Sequence, residues 1–500
     1  MNRRDEKPIT PMEKFKEFIV TAFVAAVLLL ALFGVAAFMA GCAVSPQPVV
    51  TPDTVSVPVA RYVRTTVWAG GAALTDGAVA LLSDDGRAVT CHFDGPRVTC
   101  PLDPATPAPY GAHLSVAVDG YRPTTVHFAL TGEPNQDVAD IALAAVPKLA
   151  RVKLQGRRGL VDAAGAPVPW KAVTGFQLIE QVAHGREADA ARFLQSTAPA
   201  NAARVLLMAV NLFNLSPAEG LAALPATLRL AEQSGRWLEV TVLADTKSYP
   251  DVDYRAVAVQ AAAICQASPA CGLLEIGNEL WPLHETQAPA LGSLTYLLGI
   301  RDAMREVAPD VAVSLGSTHA DQDESDRMRD GDFLTIHGAR TDGDGGWRWV
   351  RHANEQRALA DAVDRWAVND EPRRDDLDCG RQIGVALLAR LFSLGDTFHS
   401  KNGLFAMPLE GAEATALACR AKGWAAVPDD WWGQYYNAGF AGSPVKSFAG
   451  AVRVYASVNG GRALVLVLGA SGATRIEWAD GWNRTLALDE SGAQLWRLER

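Results

Sequence analysis

The hydrophobic pattern changes period twice along the chain. From about residue 55 to residue 146, short apolar runs alternate with turn signals such as Gly70-Gly71, Asp84-Asp85-Gly86 and Asp94-Gly95-Pro96. That is the pattern of short strands joined by tight turns. From about Lys148, strand-like apolar runs alternate with helical ones. The pattern predicts strands at 172–178, 203–210, 238–244, 273–278, 311–315, 333–337, 366–369 and 403–407. Between them it predicts helices, among them 217–233, 254–266, 293–307, 354–365 and 412–422. In 293–307, Leu294, Leu297, Leu298 and Met304 share one apolar stripe. Eight strands alternating with helices are what a (β/α)8 barrel requires. From about Val445 the strand pattern returns in "VRVYASV", "ALVLVLG", "TRIEWA", "TLALD" and "QLWRLER". The expected fold is multidomain: a β-sandwich at 55–147, a (β/α)8 TIM barrel at 148–440 and a small antiparallel β-domain at 441–500.

The N-terminal 42 residues follow another pattern. A stretch of mixed charge (Arg3, Arg4, Lys7, Lys14, Lys16 against Asp5, Glu6, Glu13, Glu17) precedes an uncharged run, 19–41, long enough to cross a bilayer as a helix. Lys and Arg do not return before Arg61, so the positive-inside rule keeps the N-terminus cytoplasmic. Two readings stay open. One is an uncleaved transmembrane signal anchor. The other is a lipoprotein signal, because Met39-Ala40-Gly41-Cys42 resembles a lipobox with Cys42 as the lipidated residue. Either way the remainder is exported and stays at the membrane, in the periplasm or at the cell surface. Residues 43–54, rich in Pro, Val and Ser, then read as a linker.

Composition narrows the picture modestly. With 500 residues the chain is too long for one compact core. A formal net charge of −10 argues against nucleic acid as the main partner. Apart from Cys42, six Cys fall into sequence-local groups: Cys91 with Cys100, Cys265 with Cys271, Cys379 with Cys419. In an exported chain these predict disulfides, against buried thiols as the alternative. None has zinc-site spacing with His, so a metal is not expected, and neither is an organic cofactor.

The candidate chemistry sits at two strand tips. Leu274-Glu275-Ile276-Gly277-Asn278-Glu279 ends the fourth predicted strand, and Trp366-Ala367-Val368-Asn369-Asp370-Glu371 ends the seventh. Barrel enzymes place their chemistry at the C-terminal ends of strands. Glycosidic bond cleavage needs one carboxylic acid to protonate the leaving oxygen and one carboxylate to attack or to activate water. Glu279 and Glu371 are therefore the candidate catalytic pair. The alternatives are a loop-capping role for Glu279 and a one-residue register slip that would substitute Asp370 for Glu371. Glu275, one pleat deeper, reads as structural.

The segment from about Val168 to Pro428 resembles glycoside hydrolase clan A, the retaining barrel enzymes that include endoglucanase, mannanase and β-xylosidase families. The resemblance rests on Asn278-Glu279, Glu371 and the strand count. It implies Glu279 as acid/base, Asn278 as the residue that holds the sugar 2-hydroxyl, and Glu371 as nucleophile. It also implies Arg204 ("ARVLLMAV") beside the nucleophile and His337 ("FLTIHGAR") near it. Their plainer alternatives are a salt bridge at the barrel base and a rim histidine. Trp281, Trp347, Trp349, Trp431, Trp432, Tyr435 and Tyr436 fall near the predicted barrel tops, where flat rings can stack on sugars; for any one of them core or loop packing is the plainer role. The clan's strand-eight Trp is absent from "NGLFAMPL", so Trp431 or Trp432 would have to take its place. The stretch "YGAHLSVAVDGYRPTTVHFAL" resembles the transthyretin-like or carboxypeptidase-regulatory β-sandwich. The expected activity is a retaining glycosidase acting on an oligo- or polysaccharide. The runner-up is a non-catalytic carbohydrate- or surface-binding envelope protein on a degenerate barrel.

Overall fold

Eight parallel strands close into a barrel. They are β1 Lys171–Thr174, β2 Ala202–Leu206, β3 Trp237–Leu243, β4 Cys271–Gly277, β5 Ala312–His319, β6 Phe333–His337, β7 Trp366–Asn369 and β8 Gly395–Phe398. Closure comes from β1 on β8, where Lys171, Ala172 and Val173 pair with Asp396, Thr397 and Phe398. This computed structural model describes residues 61–500 apart from short stretches, the longest being 103–109, 144–148, 281–286 and 320–327. The segment 19–41, Cys42, the linker and Trp281 lie outside the described residues. Among the described residues, no helix is long and apolar enough to cross a membrane.

One expected strand is corrected. The eighth strand is Gly395–Phe398, and the expected 403–407 overlaps a short helix, Lys401–Leu404, instead. Ser400 Oγ caps that helix by accepting from Gly403 N at 3.0 Å. A Gly-Asp start hides the true strand from a hydrophobic pattern. Asp396 is tolerated there because it points out of the barrel into a buried pairing. It accepts from Arg420 Nε at 2.9 Å and from Trp424 Nε1 at 2.8 Å.

Elsewhere local chemistry sets the elements as the pattern predicts. The helix Pro217–Gln233 starts on a Ser216 capping box with Glu219, with Pro at its first position. Tyr254–Gln266 and Leu294–Val307 start on the Asp253 and Ser293 side chains. The helix before β7 begins earlier than expected, at Trp347, and both Trp347 and Trp349 are buried in it.

Strand alternation divides the barrel interior into levels. The inward residues near the strand starts are Ala172, Ala202, Leu273, Phe333 and Val368, which with Trp170 and Trp366 form an apolar plug. A three-stranded sheet, Lys153–Leu154, Leu160–Val161 and Pro167–Val168, sits at that end and adds Leu160 to the plug. Two residues further along the same strands stand Thr174, Arg204, Glu275, Thr335 and Asp370, all buried and all polar.

Before the barrel, two sheets share one apolar core that includes Val63, Val67, Leu81, Val98, Leu114 and Val116. One is built on Arg61–Ala69. The other runs Ala88–Thr90, Ala78–Ser83, Tyr110–Ala117, Thr124–Leu130, antiparallel throughout. After the barrel, a five-stranded antiparallel sheet begins at Gln434, and Leu464, Leu466, Leu468 and Leu495 join the main core. The three expected disulfides are present: Cys91–Cys100, Cys265–Cys271 and Cys379–Cys419. The second pins a helix end to the start of β4, and the third joins the helices Cys379–Leu391 and Gly411–Ala426.

Candidate active site

The C-terminal rim of the barrel gathers the groups that the strand tips supply. β4 ends at Gly277, and Asn278 and Glu279 follow directly. β4 and β5 approach closely here: a Cβ on Gly316 would lie 2.7 Å from the Gly277 carbonyl oxygen, so only glycine fits. Glu279 adopts φ 51°, the left-handed region that L residues with a Cβ disfavour by about 1–2 kcal/mol. Such strain persists where the surroundings hold it, and the Glu279 carboxyl is held 3.0 Å from the His337 ring. Asn278 is held from both sides. Its N–H donates to Leu243 O at 3.0 Å, and its carbonyl accepts from Gln287 Nε2 at 2.5 Å.

One carboxylate oxygen of Glu279, one of Glu371 and one ring nitrogen of His337 all lie within 4.8 Å of one another. The side chains of Glu279 and Glu371 are 19% and 12% exposed, whereas those of Glu275 and Asp370 are fully sealed. Of the two adjacent carboxyls, Glu371 keeps a little access from the rim and Asp370 none; Glu275 is sealed as well.

Arg204, fully buried on β2, is the hub. Its Nη2 donates to Glu275 Oε2 at 2.7 Å and Asn278 Oδ1 at 2.9 Å, and its Nη1 to Glu371 Oε2 at 3.4 Å. Its Nε stands 3.1 Å from Asp370 Oδ2. Arg204 thus stands beside Glu371 and pairs more closely still with the sealed carboxyls of Glu275 and Asp370. Burial alone would lower the Arg204 pKa, but Asp370, Glu275, Glu371 and Glu239 outweigh it, and the guanidinium stays charged. Glu275 is buried too, yet Arg204 and hydrogen bonds from Ser317 and Thr241 hold its carboxyl below the ordinary value.

His337 closes the ring at the tip of β6. Its Nδ1 lies 3.0 Å from Glu279 Oε1, and its Nε2 lies 3.5 Å from both Asp370 Oδ1 and Glu371 Oε2. Burial would push its pKa down, but Glu371, Asp370 and Glu279 together raise it to about 9. At neutral pH it carries a proton and stands against the carboxyls of both Glu279 and Glu371.

Several expected site residues fall elsewhere. Trp431 and Trp432 line a cavity of about 170 Å³ with Trp170, Trp366, Ser393 and Leu394, at or just before the starts of β1, β7 and β8. They therefore lie at the opposite end of the barrel from Glu279 and Glu371. Trp431 is buried, with Nε1 donating to Ser457 Oγ at 3.2 Å, and Arg158 and Arg357 stand over the Trp432 ring. Neither can floor a sugar site at the rim. Tyr435 and Tyr436 belong to the first strand of the C-terminal sheet. Trp349 instead supports the loop after β7, where its Nε1 donates to Asp376 Oδ2 at 2.8 Å.

Sequence reasoning missed His399. It follows β8, with Nε2 3.8 Å from Glu371 Oε1, Nδ1 3.3 Å from Thr174 Oγ1, and its ring 5.9 Å from that of Phe176. Period-2 alternation through Gly395, Thr397 and His399 would have found it, had the strand been placed there. Glu239 on β3 was missed as well, because a charge inside an apolar run reads as a strand end.

Among the described residues, two clusters have the donors to hold a cation: Glu279, His337 and Glu371, and Glu239, Glu275 and Asp370. In the first, His337 carries a proton at neutral pH and offers no lone pair. In the second, the Arg204 guanidinium already stands against Asp370.

No family model matches the chain, and no curated protein matches it. Solved structures similar to it include a glycoside hydrolase family 5 protein from Bacteroides vulgatus at 11% identity and TM-score 0.47, covering 70% of this chain and 93% of that one. A β-glucanase from Saccharophagus degradans, in complex with cellotetraose, matches at 11% identity and TM-score 0.43, covering 56% and 95%. An endo-1,4-β-mannanase from Rhizomucor miehei matches at 11% and 0.42, covering 55% and 99%.

Proposed function

We propose that the chain is a retaining glycoside hydrolase with Glu371 as nucleophile and Glu279 as acid/base. The observation that carries this reading is that one oxygen of Glu279 and one of Glu371, both only slightly open to solvent, lie within 4.8 Å of each other at the C-terminal rim of a closed barrel. Carboxyls about 5–5.5 Å apart suit a double displacement, and this closest approach is of that order.

In the first step Glu371 attacks the anomeric carbon while Glu279 gives its proton to the departing oxygen. The glycosidic bond breaks and a glycosyl ester of Glu371 forms. In the second step Glu279 takes a proton from water, whose oxygen attacks the same carbon and releases Glu371. Two cations, Arg204 and His337, face Glu371 and suit an anionic nucleophile. Asn278 accepts from Arg204 at Oδ1, which leaves its amide NH2 to donate to a sugar 2-hydroxyl.

The reading includes export and tethering at the cell envelope. Its support is the uncharged run 19–41, the lipobox-like Cys42 and three disulfides, which persist in oxidising compartments. Palmitate labelling that Cys42→Ser abolishes identifies the lipoprotein. Unchanged labelling with an intact N-terminus identifies the transmembrane anchor.

The deciding experiment screens chromogenic glycosides and glycans with the native protein and Glu371→Gln, and reads product stereochemistry by NMR. A first-formed product of retained configuration, lost in the variant, is expected. Inversion sinks the double displacement. Glycan binding without cleavage sinks the enzyme reading in favour of a binding protein.

A further inference from the structure

Between the apolar plug and Glu371 the barrel holds more carboxylates than the proposed chemistry uses. Glu239, Glu275 and Asp370 are fully buried, and one oxygen of each lies within 4.8 Å of the others. Glu275 is satisfied, by Ser317 and Thr335 on one oxygen and by Arg204 and Thr241 on the other. Glu239 Oε2 accepts from Trp170 Nε1 at 3.3 Å, but among the described residues its Oε1 meets no donor. Among the described residues, neither oxygen of Asp370 receives a hydrogen bond of good geometry, although Arg204 and His337 stand close. Two buried carboxylates with oxygens within 4.8 Å of each other and oxygens left without a donor do not both stay ionised. A proton supplies the missing donor. A metal ion would have to share Asp370 with a guanidinium 3.1 Å away.

We propose that Glu239 and Asp370 hold one proton between them, with Asp370 the anionic partner, and that Asp370 is a positioning residue for Glu371. The second half rests on the reading of Glu371 as nucleophile. Asp370 touches the same two cations that face Glu371: Arg204 through Nε and His337 through Nε2. It immediately precedes Glu371 in the chain, so its pairing also fixes the backbone from which Glu371 projects. The charged and titratable groups around it are Arg204 from β2, Glu239 from β3, Glu275 from β4, His337 from β6 and Glu371 beyond β7. Burial, reinforced by Asp370, raises the Glu239 carboxyl well above its ordinary value. Burial also raises Asp370, to about 6, with Arg204 and His337 pulling it back, so Asp370 is the one ionised at neutral pH. A neutral Glu239 donates to Asp370, and the Asp370 anion holds Arg204 and the His337 imidazolium against the nucleophile.

Infrared spectroscopy of the full chain tests the shared proton without any turnover, and so fails separately from the glycosidase reading. In a Glu279→Gln background, which removes the acid of the proposed mechanism, the protein should show a buried carboxylic-acid carbonyl band at neutral pH that Glu371→Gln retains and Glu239→Gln loses. Absence of the band from that background, or its survival when Glu239→Gln is added, overturns the pair. So does elemental analysis that finds a stoichiometric metal ion displaced by Glu239→Gln. For positioning, Asp370→Asn should lower kcat by about 10²-fold with KM little changed. It should also move the alkaline limb of the pH–rate profile to lower pH, because the imidazolium loses an anion. An unmoved alkaline limb overturns the positioning role. Glu239→Gln keeps a donor and should fall less than Glu239→Leu; equal losses overturn the donor role.

Discussion

Two neighbouring levels of one barrel follow opposite rules. At the lower level the strands point Ala172, Ala202, Leu273, Phe333 and Val368 inward; one pleat higher they point Thr174, Arg204, Glu275, Thr335 and Asp370. The step is two residues, about 7 Å of strand. Below it, stability comes from apolar area removed from water, about 25 cal/mol per Å². Above it, almost every side chain is charged or hydroxyl-bearing and fully buried, so each depends on a named partner. The plug makes the upper level effective. Charges interact far more strongly where water is excluded, and the plug seals the interior from below. Stability and chemistry are stacked on the same strands, so substitutions one pleat apart should separate them.

The largest effect is expected at the rim. Glu371→Gln should lower kcat by about 10⁴-fold or more, because no glycosyl ester can form, with the melting temperature nearly unchanged. A variant with near-native turnover would remove Glu371 from the mechanism.

Glu279→Ala should cost about 10²–10⁴-fold on natural glycans and much less on aryl glycosides with good leaving groups, which need no protonation. Azide should rescue it to a product of retained configuration. Equal losses on both substrate types would show that Glu279 is not the acid.

At the plug the prediction reverses. Phe333→Ala, two pleats below His337 on β6, should lower stability by about 3–5 kcal/mol in chemical denaturation while the folded fraction keeps kcat within about tenfold. A large loss of kcat at native stability would mean that the two levels are one functional unit.

His337 adds a pH arm with a definite sign. Its folded pKa lies near 9, above the ordinary 6.5, so its contribution to stability is complete below pH 6.5 and fades as the pH rises through 9. His337→Gln should flatten that alkaline decline, as read by denaturation at several pH values. A decline of the same size in the variant would place its origin elsewhere.

The smallest effect is expected at Trp432, at the strand-start end. Trp432→Ala should remove two cation–π contacts worth about 0.5–1 kcal/mol each and leave KM for glycans unchanged. A raised KM would bring the lower cavity into substrate binding.

The order of elements was legible because strands and helices bury their faces with different periods, and Asn278-Glu279 and Glu371 could be placed at strand tips from that order alone. The local Cys groups likewise foretold their pairings. Strand β8 was illegible because Asp396 looks like solvent-facing polarity until Arg420 and Trp424 arrive from the helix Gly411–Ala426 to bury it. The misplaced strand hid His399, and it sent Trp431 and Trp432 to the wrong end of the barrel. What the sequence by itself determined is whatever depends on near neighbours: period, caps, turn residues and the identity of the two candidate carboxylates. What only the tertiary structure decided is which charges meet. Arg204, Glu239, Glu275 and His337 come from four strands and Asp370 from the position just past a fifth, and their ionisation is set by burial and by distances of a few ångströms that no spacing along the chain encodes.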